Sequence, residues 1–527
     1  MKRRPKAVIT VFFSLLSVLF IAVIFTVTEA VRVAGARAQC ADITSLGCWS
    51  VFSEYENVLL EDYGLFGVDG AQGAGVFSKE NLKAKLVSYM EKNTDAASGI
   101  SGKLPGILLD PWKVSADETA IDQYALLTDR GGEYYYQQAV AYMRQTAWSR
   151  ALGKLEDLYR DAEGIREAES EYESSTKESA KGMKSLEKEV QSARNETTSA
   201  DTGASDGSIV IVAEGEEAET LRRAQEEGEK KNPLEKIKSL QSRSILELVC
   251  GKGKVSSKSL DSGELYSKRP ASRGVLALDT PYGGHVDNLL FCEYLIDHFR
   301  NYSDRFDSKV LSYQLEYLIA GKRSDEANLK TIARRLLAIR EGLNYTFLLA
   351  DKTCSLEATA LASLILGWTG RPALIATIKH ALLLAWAYGE SLFDVRILLH
   401  GGRVPLAKTR DNWNVPLSSL INLESDLKRA DQAARGPSSG LQYEDYLRLL
   451  LDMQGRPVLQ KRSLDLIELN IRALDGYSAF RMDNCVIGLT CKVRWTIPAV
   501  YSRVAGALAG ISLPGFRVLV EGGFSYS

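Results

Sequence analysis

Cys292 stands between His285 and His298 with Asp287 and Asp297 close by, and these are the residue types that nucleophilic chemistry requires. A cysteine nucleophile needs an imidazole within hydrogen-bond reach and a third group to orient the ring. If residues 286–301 form one helix, His298 lies nearly two turns from Cys292, so the spacing favours a core cysteine beside surface histidines. Metal chemistry has as little to work with. The chain has four histidines, His285, His298, His380 and His400, and seven cysteines, none spaced as a zinc site, and it lacks an Asp-x-Asp-x-Asp-Gly calcium loop. Gly64, Gly67, Gly70, Gly73 and Gly75 lack the preceding strand and the Lys-Ser or Lys-Thr of a phosphate cradle, so they read as loop. Paired carboxylates carry no fixed spacing, which leaves a hydrolase open as a minor reading, with nothing to select a pair. The residues therefore give no catalytic set, no cofactor, no metal and no small-molecule substrate. With 65 basic against 67 acidic residues there is no cationic excess to suggest nucleic acid.

The odd, widely spaced cysteines are not a disulfide framework and read mostly as small core residues. Cys485 and Cys491 are the exception. They lie symmetrically about Gly488, so a tight hairpin would allow a bond between them, the alternative being two thiols packed as apolar groups. Cys40 and Cys48 are too far apart along a continuous helix, at ~1.5 Å per residue, to bond to each other.

The element that would place everything else is N-terminal. A basic tail, residues 1–6, abuts an apolar run from Ala7 to Thr28, long enough to cross a hydrocarbon core of ~30 Å as a helix in contact with membrane lipid. Lys2, Arg3, Arg4 and Lys6 hold the tail in the cytoplasm and place the bulk of the chain outside the cell membrane. A cleaved signal peptide is the rival reading, since Ala36-Arg37-Ala38 has the form of a cleavage site. The length of the run and the charges at Glu29, Arg32 and Arg37 favour a retained single-pass anchor.

Past the membrane the helical pattern continues through Val27, Val31, Ala34, Ala38 and Ala41 to Phe52, Tyr55 and Leu59, which predicts a stalk ending near Gly64 within a proximal segment 29–147. Segment 148–249 is rich in charge with one narrow apolar seam. It predicts a projecting, antiparallel, coiled-coil-like helical hairpin whose second arm resumes from Glu216, the alternative being two surface helices, and Asn232-Pro233 then reads as a helix cap followed by proline in the first turn. Segment 250–475 reads as a helical core, in which Lys379, His380 and Glu390 argue against a second membrane span over residues 372–392. Segment 476–527 approaches strand alternation and predicts a small antiparallel sheet. The fold class is thus mainly α, of α+β type.

Ile9-Thr-Val-Phe-Phe-Ser-Leu-Leu, Thr28-Glu-Ala-Val-Arg-Val-Ala-Gly-Ala-Arg-Ala-Gln39 and Ser50-Val-Phe-Ser-Glu-Tyr-Glu-Asn-Val-Leu-Leu-Glu-Asp-Tyr-Gly-Leu-Phe66 together resemble an uncharacterised family of Firmicutes membrane proteins that accompany Tad (Flp) pilus and type II secretion-like components. The likeness extends through Leu315-Glu-Tyr-Leu-Ile-Ala-Gly-Lys, Leu366-Gly-Trp-Thr-Gly-Arg-Pro and Gly440-Leu-Gln-Tyr-Glu-Asp-Tyr-Leu-Arg-Leu-Leu450, and the N-terminal block resembles TadE and TadG pseudopilin-like proteins. A prepilin processing site would need Glu at the fifth mature position, where Val11 stands after Lys6, so the resemblance implies a retained anchor.

What the resemblance implies is a structural or accessory subunit of a Tad-like pilus or secretion apparatus, acting by assembly, with an adhesin or binding module as the alternative. A partner helix would dock on the small residues Ala30, Ala34, Gly35, Ala36 and Ala38, just outside the bilayer.

Overall fold

The computed structural model describes residues 6–101, 114–146, 174–178, 181, 230–250, 255–261, 263, 265–304, 308–366, 372–436, 439–503 and 514–526. In chain order the N-terminal part forms α1 (Lys6–Phe52), α2 (Asn57–Tyr63), β1 (Val68–Asp69), α3 (Lys79–Ser101), β2 (Ser115–Leu126) and α4 (Asp129–Thr146). The middle carries α5 (Leu234–Gln241), α6 (Ile245–Val249), α7 (His285–His298), α8 (Gln314–Ala320), α9 (Asp325–Ala350), α10 (Lys352–Leu366) and α11 (Pro372–Leu399). There follow α12 (Leu423–Ala433), α13 (Tyr443–Asp452), α14 (Arg456–Arg472), β3 (Cys485–Ile497) and β4 (Phe516–Ser525). The chain is mainly helical with one small antiparallel sheet, and it divides into two compact units.

The first unit collects residues 1–146, 263–287 and 460–527. β3 is its central strand. β2 pairs antiparallel along one edge, while β1 and β4 take successive stretches of the other. Leu489, Cys491, Val493, Trp495 and Ile497 point to the interior while the residues between them are less buried, the two-residue period of a strand with one face on a core. That core is completed by α1, through Val33, Ala36, Cys40, Ile43, Cys48 and Val51, and by α3. The outer face is polar: Arg494 pairs with Glu118 at 2.6 Å and Lys492 with Asp122 at 3.2 Å, cross-strand pairs that account for the acidic residues β2 carries there.

Two sequence expectations change here. The stalk does not run unbroken to Gly64: α1 stops at Phe52, and the separate helix α2 ends at Gly64, whose φ of 63° supplies the left-handed cap that closes it. At the far end of α1, Phe52 packs on Phe524 (5.0 Å) and Tyr526 (5.2 Å), so C-terminal aromatic residues fix where the long helix terminates. The C-terminal strands β3 and β4 pair antiparallel with each other as expected, but their sheet is larger than that segment, since it also takes in β1 and β2 from the first quarter of the chain.

The second unit comprises residues 147–262 and 288–459. Its regular elements, among the described residues, are helices, with α9 and α11 packed along each other and α10 and α12 against α11. The break read at Gly321 to Asp325 separates α8 from α9, and Ser324 caps α9 by accepting a hydrogen bond from the Ala327 amide at 3.3 Å. Asn232 accepts from the Leu234 amide at 3.1 Å ahead of α5. Of the hairpin expected over 148–249, only 174–178, 181 and 230–249 lie within the described residues. The former candidate for a second span is α11, whose second half is buried almost throughout.

Candidate functional site

α1 is an element with two lives along its length. From Ile9 to Thr28 no residue is buried, and side chains such as Phe12, Leu15 and Val18 are about as exposed as an isolated helix would leave them. Among the described residues it is the one helix long and apolar enough to cross a membrane. From Glu29 onward one face is buried against the sheet.

Where these regimes meet, Glu29 and Arg32 form a buried ion pair at 2.8 Å, one turn apart on α1. The Glu29 carboxylate also accepts the amides of Val500 (3.2 Å) and Tyr501 (2.9 Å), and Arg32 donates to the Pro498 carbonyl. Phe25 and Tyr501 bring their rings to 6.0 Å. The segment leaving β3 is therefore tied to α1 at the point where the helix becomes apolar all round. Charges at 29 and 32 read in sequence only as interruptions to an apolar run; the backbone groups they hydrogen-bond lie more than 460 positions away.

Of the small residues predicted as a partner face, Ala30, Ala34 and Ala38 are exposed, Gly35 is half-buried, and Ala36 is fully buried against the sheet. Ala36 is thus removed from that face. Val27, Val31 and Ala41 join the exposed set, at the alternating four- and three-residue spacing of a helix seam. Beside them Phe25, Glu29, Ala30, Ala34, Arg37 and Phe516 line a groove of about 550 Å³.

The second unit holds a buried ionic centre. Arg340 of α9 lies 2.9 Å from Asp394 of α11, both without solvent exposure, and Lys408 reaches Asp394 at 2.7 Å and also pairs with Glu390. Asn344 donates to Ser391 (2.9 Å) and to Asp394 (3.1 Å), while Arg340 also donates to the Pro405 and Leu406 carbonyls. Burial pushes both carboxyls up; the two cations overcome this at Asp394 and hold it below the ordinary range, whereas Glu390 stays above it. Two cations and two carboxylates cancel, and their hydrogen-bonding groups are spent on one another and on backbone. Such a centre fixes helix register; it presents no free group to a substrate.

A polar recess in the first unit is formed by Glu54, Glu56, Asp69, Gln72, Lys85 and Tyr477. Asp69 accepts the Ala71 and Gly73 amides at 2.8 and 2.7 Å, and Lys85 pairs with Glu54.

The cysteine–histidine grouping is not assembled as a nucleophile. Cys292 is buried and burial raises its thiol, the opposite of activation. His298 lies further along the same helix with Nδ1 2.8 Å from the Tyr294 carbonyl. Asp287 pairs with Arg144 and accepts the Gly283 and Gly284 amides, both at 2.9 Å. The hairpin disulfide is also overturned. β3 runs unbroken through Cys485 and Cys491, so six strand steps, roughly 20 Å, separate them, far beyond a disulfide's reach. Cys491 instead meets Cys48 of α1, sulfur to sulfur, at 3.5 Å.

The sequence profile of DUF5702, a family of unknown function, matches residues 223–497, about half of the chain. The chain belongs to that family. The DUF5702 region contains the whole Arg340–Asp394–Lys408–Glu390 centre and runs to the end of β3, while α1 lies upstream of it. No match is found among curated proteins or among solved structures. The DUF5702 assignment thus brings no activity with it, and function has to be argued from geometry.

Proposed function

We propose that this protein is a membrane-anchored, extracytoplasmic structural or accessory subunit of a Tad-like pilus or secretion apparatus, and that it acts by assembly rather than catalysis. The observation that carries the reading is the continuity of α1. One unbroken helix leads from an apolar stretch in which no residue from Ile9 to Thr28 is buried into the core of a folded unit, so a lipid-embedded end would be coupled rigidly to the unit outside. Cleavage after Ala38 would sever that helix between Ala36 and Cys40, both of which pack against the sheet, and this supports a retained anchor. The basic tail sets the N-terminus in the cytoplasm.

The seam Val27–Val31–Ala34–Ala38–Ala41 supports a helical partner. Small residues there let a second backbone approach closely. The resemblance of the N-terminal block to TadE and TadG proteins supports subunits of such an apparatus as the source of that helix. Purification from native membranes in mild detergent tests the proposal: recovery of a Tad-type platform protein, ATPase or pseudopilin supports it. Intact pilus or secretion assembly in a strain lacking the gene would overturn it.

A further inference from the structure

We infer that Cys48 and Cys491 are the site of an intrachain disulfide that fastens the anchor helix to the central strand of the sheet. Both thiols are fully enclosed, and their sulfurs touch at 3.5 Å. The approach is built rather than incidental. Four residues before Cys48, Thr44 Oγ1 accepts a hydrogen bond from Trp495 Nε1 at 3.1 Å, and Trp495 lies four residues beyond Cys491 on the same face of β3. Two rungs, Thr44–Trp495 and Cys48–Cys491, therefore set one register between α1 and β3.

Room for the sulfur pair comes from β4. Gly522 is the partner of Cys491 in the ladder, and a Cβ there would fall 2.6 Å from Thr44 Cγ2 and 3.6 Å from each sulfur. A side chain at 522 would crowd the space the two thiols need to turn toward each other.

The oxidant is a disulfide, either a low-molecular-weight one or that of a thiol oxidoreductase. The Cys491 thiolate attacks one of its sulfurs, forming a mixed disulfide and expelling one thiolate. Cys48, deprotonated, then attacks the Cys491 sulfur and expels the second. Two protein thiols lose two protons and two electrons, and the oxidant is reduced to two thiols. Because both sulfurs are enclosed, the exchange takes place while α1 is off the sheet. The inference rests on the extracytoplasmic reading only for where the oxidant is met; the chemistry itself is tested without it.

The full-length protein, purified in detergent under reducing conditions, is exposed to oxidised glutathione in the folded state and, separately, during refolding from denaturant. Remaining thiols are alkylated and the peptides mapped. The expected result is a peptide joining Cys48 to Cys491, loss of two of the seven thiols, and a species that migrates faster on a non-reducing gel. Cys48→Ser should abolish the link and leave glutathione on Cys491. Recovery of Cys48 and Cys491 as free thiols in both arms, or pairing of either with another cysteine, would overturn the inference whatever the outcome of the co-purification experiment.

Discussion

Trp495 donates its indole N–H to the hydroxyl of Thr44 at 3.1 Å, both side chains fully buried, and this bond joins the central strand of the sheet to the helix that carries the apolar N-terminal stretch. A buried donor that loses its acceptor bears the whole desolvation penalty. Thr44→Val keeps the shape and removes the acceptor, so it should destabilise the first unit by about 1–3 kcal/mol, read by urea denaturation in detergent. Trp495→Phe in the Thr44→Val background should add less than it does alone.

The buried Arg340–Asp394 pair makes a different prediction. Arg340→Met leaves Asp394 buried with a single cation and should destabilise the protein by about 3–5 kcal/mol. Replacing Asp394 with Leu in the same chain should recover much of that loss, because an apolar pair asks for no solvation. A double-mutant cycle by denaturant unfolding measures both. Equal effects for the single and double variants would show the centre to be no unit.

Glu316 supplies a pH dependence. It is fully buried, accepting the Tyr302 amide at 2.8 Å and the Tyr443 hydroxyl at 2.7 Å, and burial pushes its carboxyl up to about 7. The folded state thus holds this proton more tightly than the unfolded chain does. The stability it contributes is complete below pH ~4.5 and is lost as pH rises through about 7, a swing of roughly 3 kcal/mol. Glu316→Gln, unable to ionise, should gain on the parent chain between pH 5 and pH 8. Denaturation at several pH values gives the difference; one that stays constant would contradict this account of Glu316.

Ala36 and Ala38 separate packing from assembly. Ala36→Leu overpacks the interface of α1 with the sheet and should destabilise by about 1–3 kcal/mol. Ala38→Arg lies on the exposed face, should change stability by less than about 0.5 kcal/mol, and should abolish recovery of partner subunits. Thermal unfolding and co-purification on the same two variants distinguish the roles.

Much of this architecture is written in local pattern. The apolar stretch, the breaks at Gly64 and Gly321, the cap at Asn232 and the strand character of the chain after Gly476 all rest on neighbours within a few residues. What could not be read are relations across the chain. On its outer face β2 places Asp122 and Glu118 opposite Lys492 and Arg494 of β3, pairings that its own sequence does not show. Symmetry about Gly488 suggested a turn, yet pairing on both edges keeps β3 straight and sends Cys491 to Cys48. The face of α1 that packs was equally hidden, since it includes Glu29 and Arg32, whose hydrogen bonds to backbone reach the segment that follows β3.

We propose that α1 stays in the membrane and offers its outward seam to a helix of another subunit. A photoreactive residue at Val31, on that seam, tests it in native membranes, with the same probe at the inward-facing Ile43 as the control. Val31 should crosslink to a Tad-like pilus or secretion subunit while Ile43 crosslinks only within the chain. A folded, membrane-bound protein whose Val31 probe captures lipid alone, or a chain recovered outside the membrane with α1 cut, would contradict it.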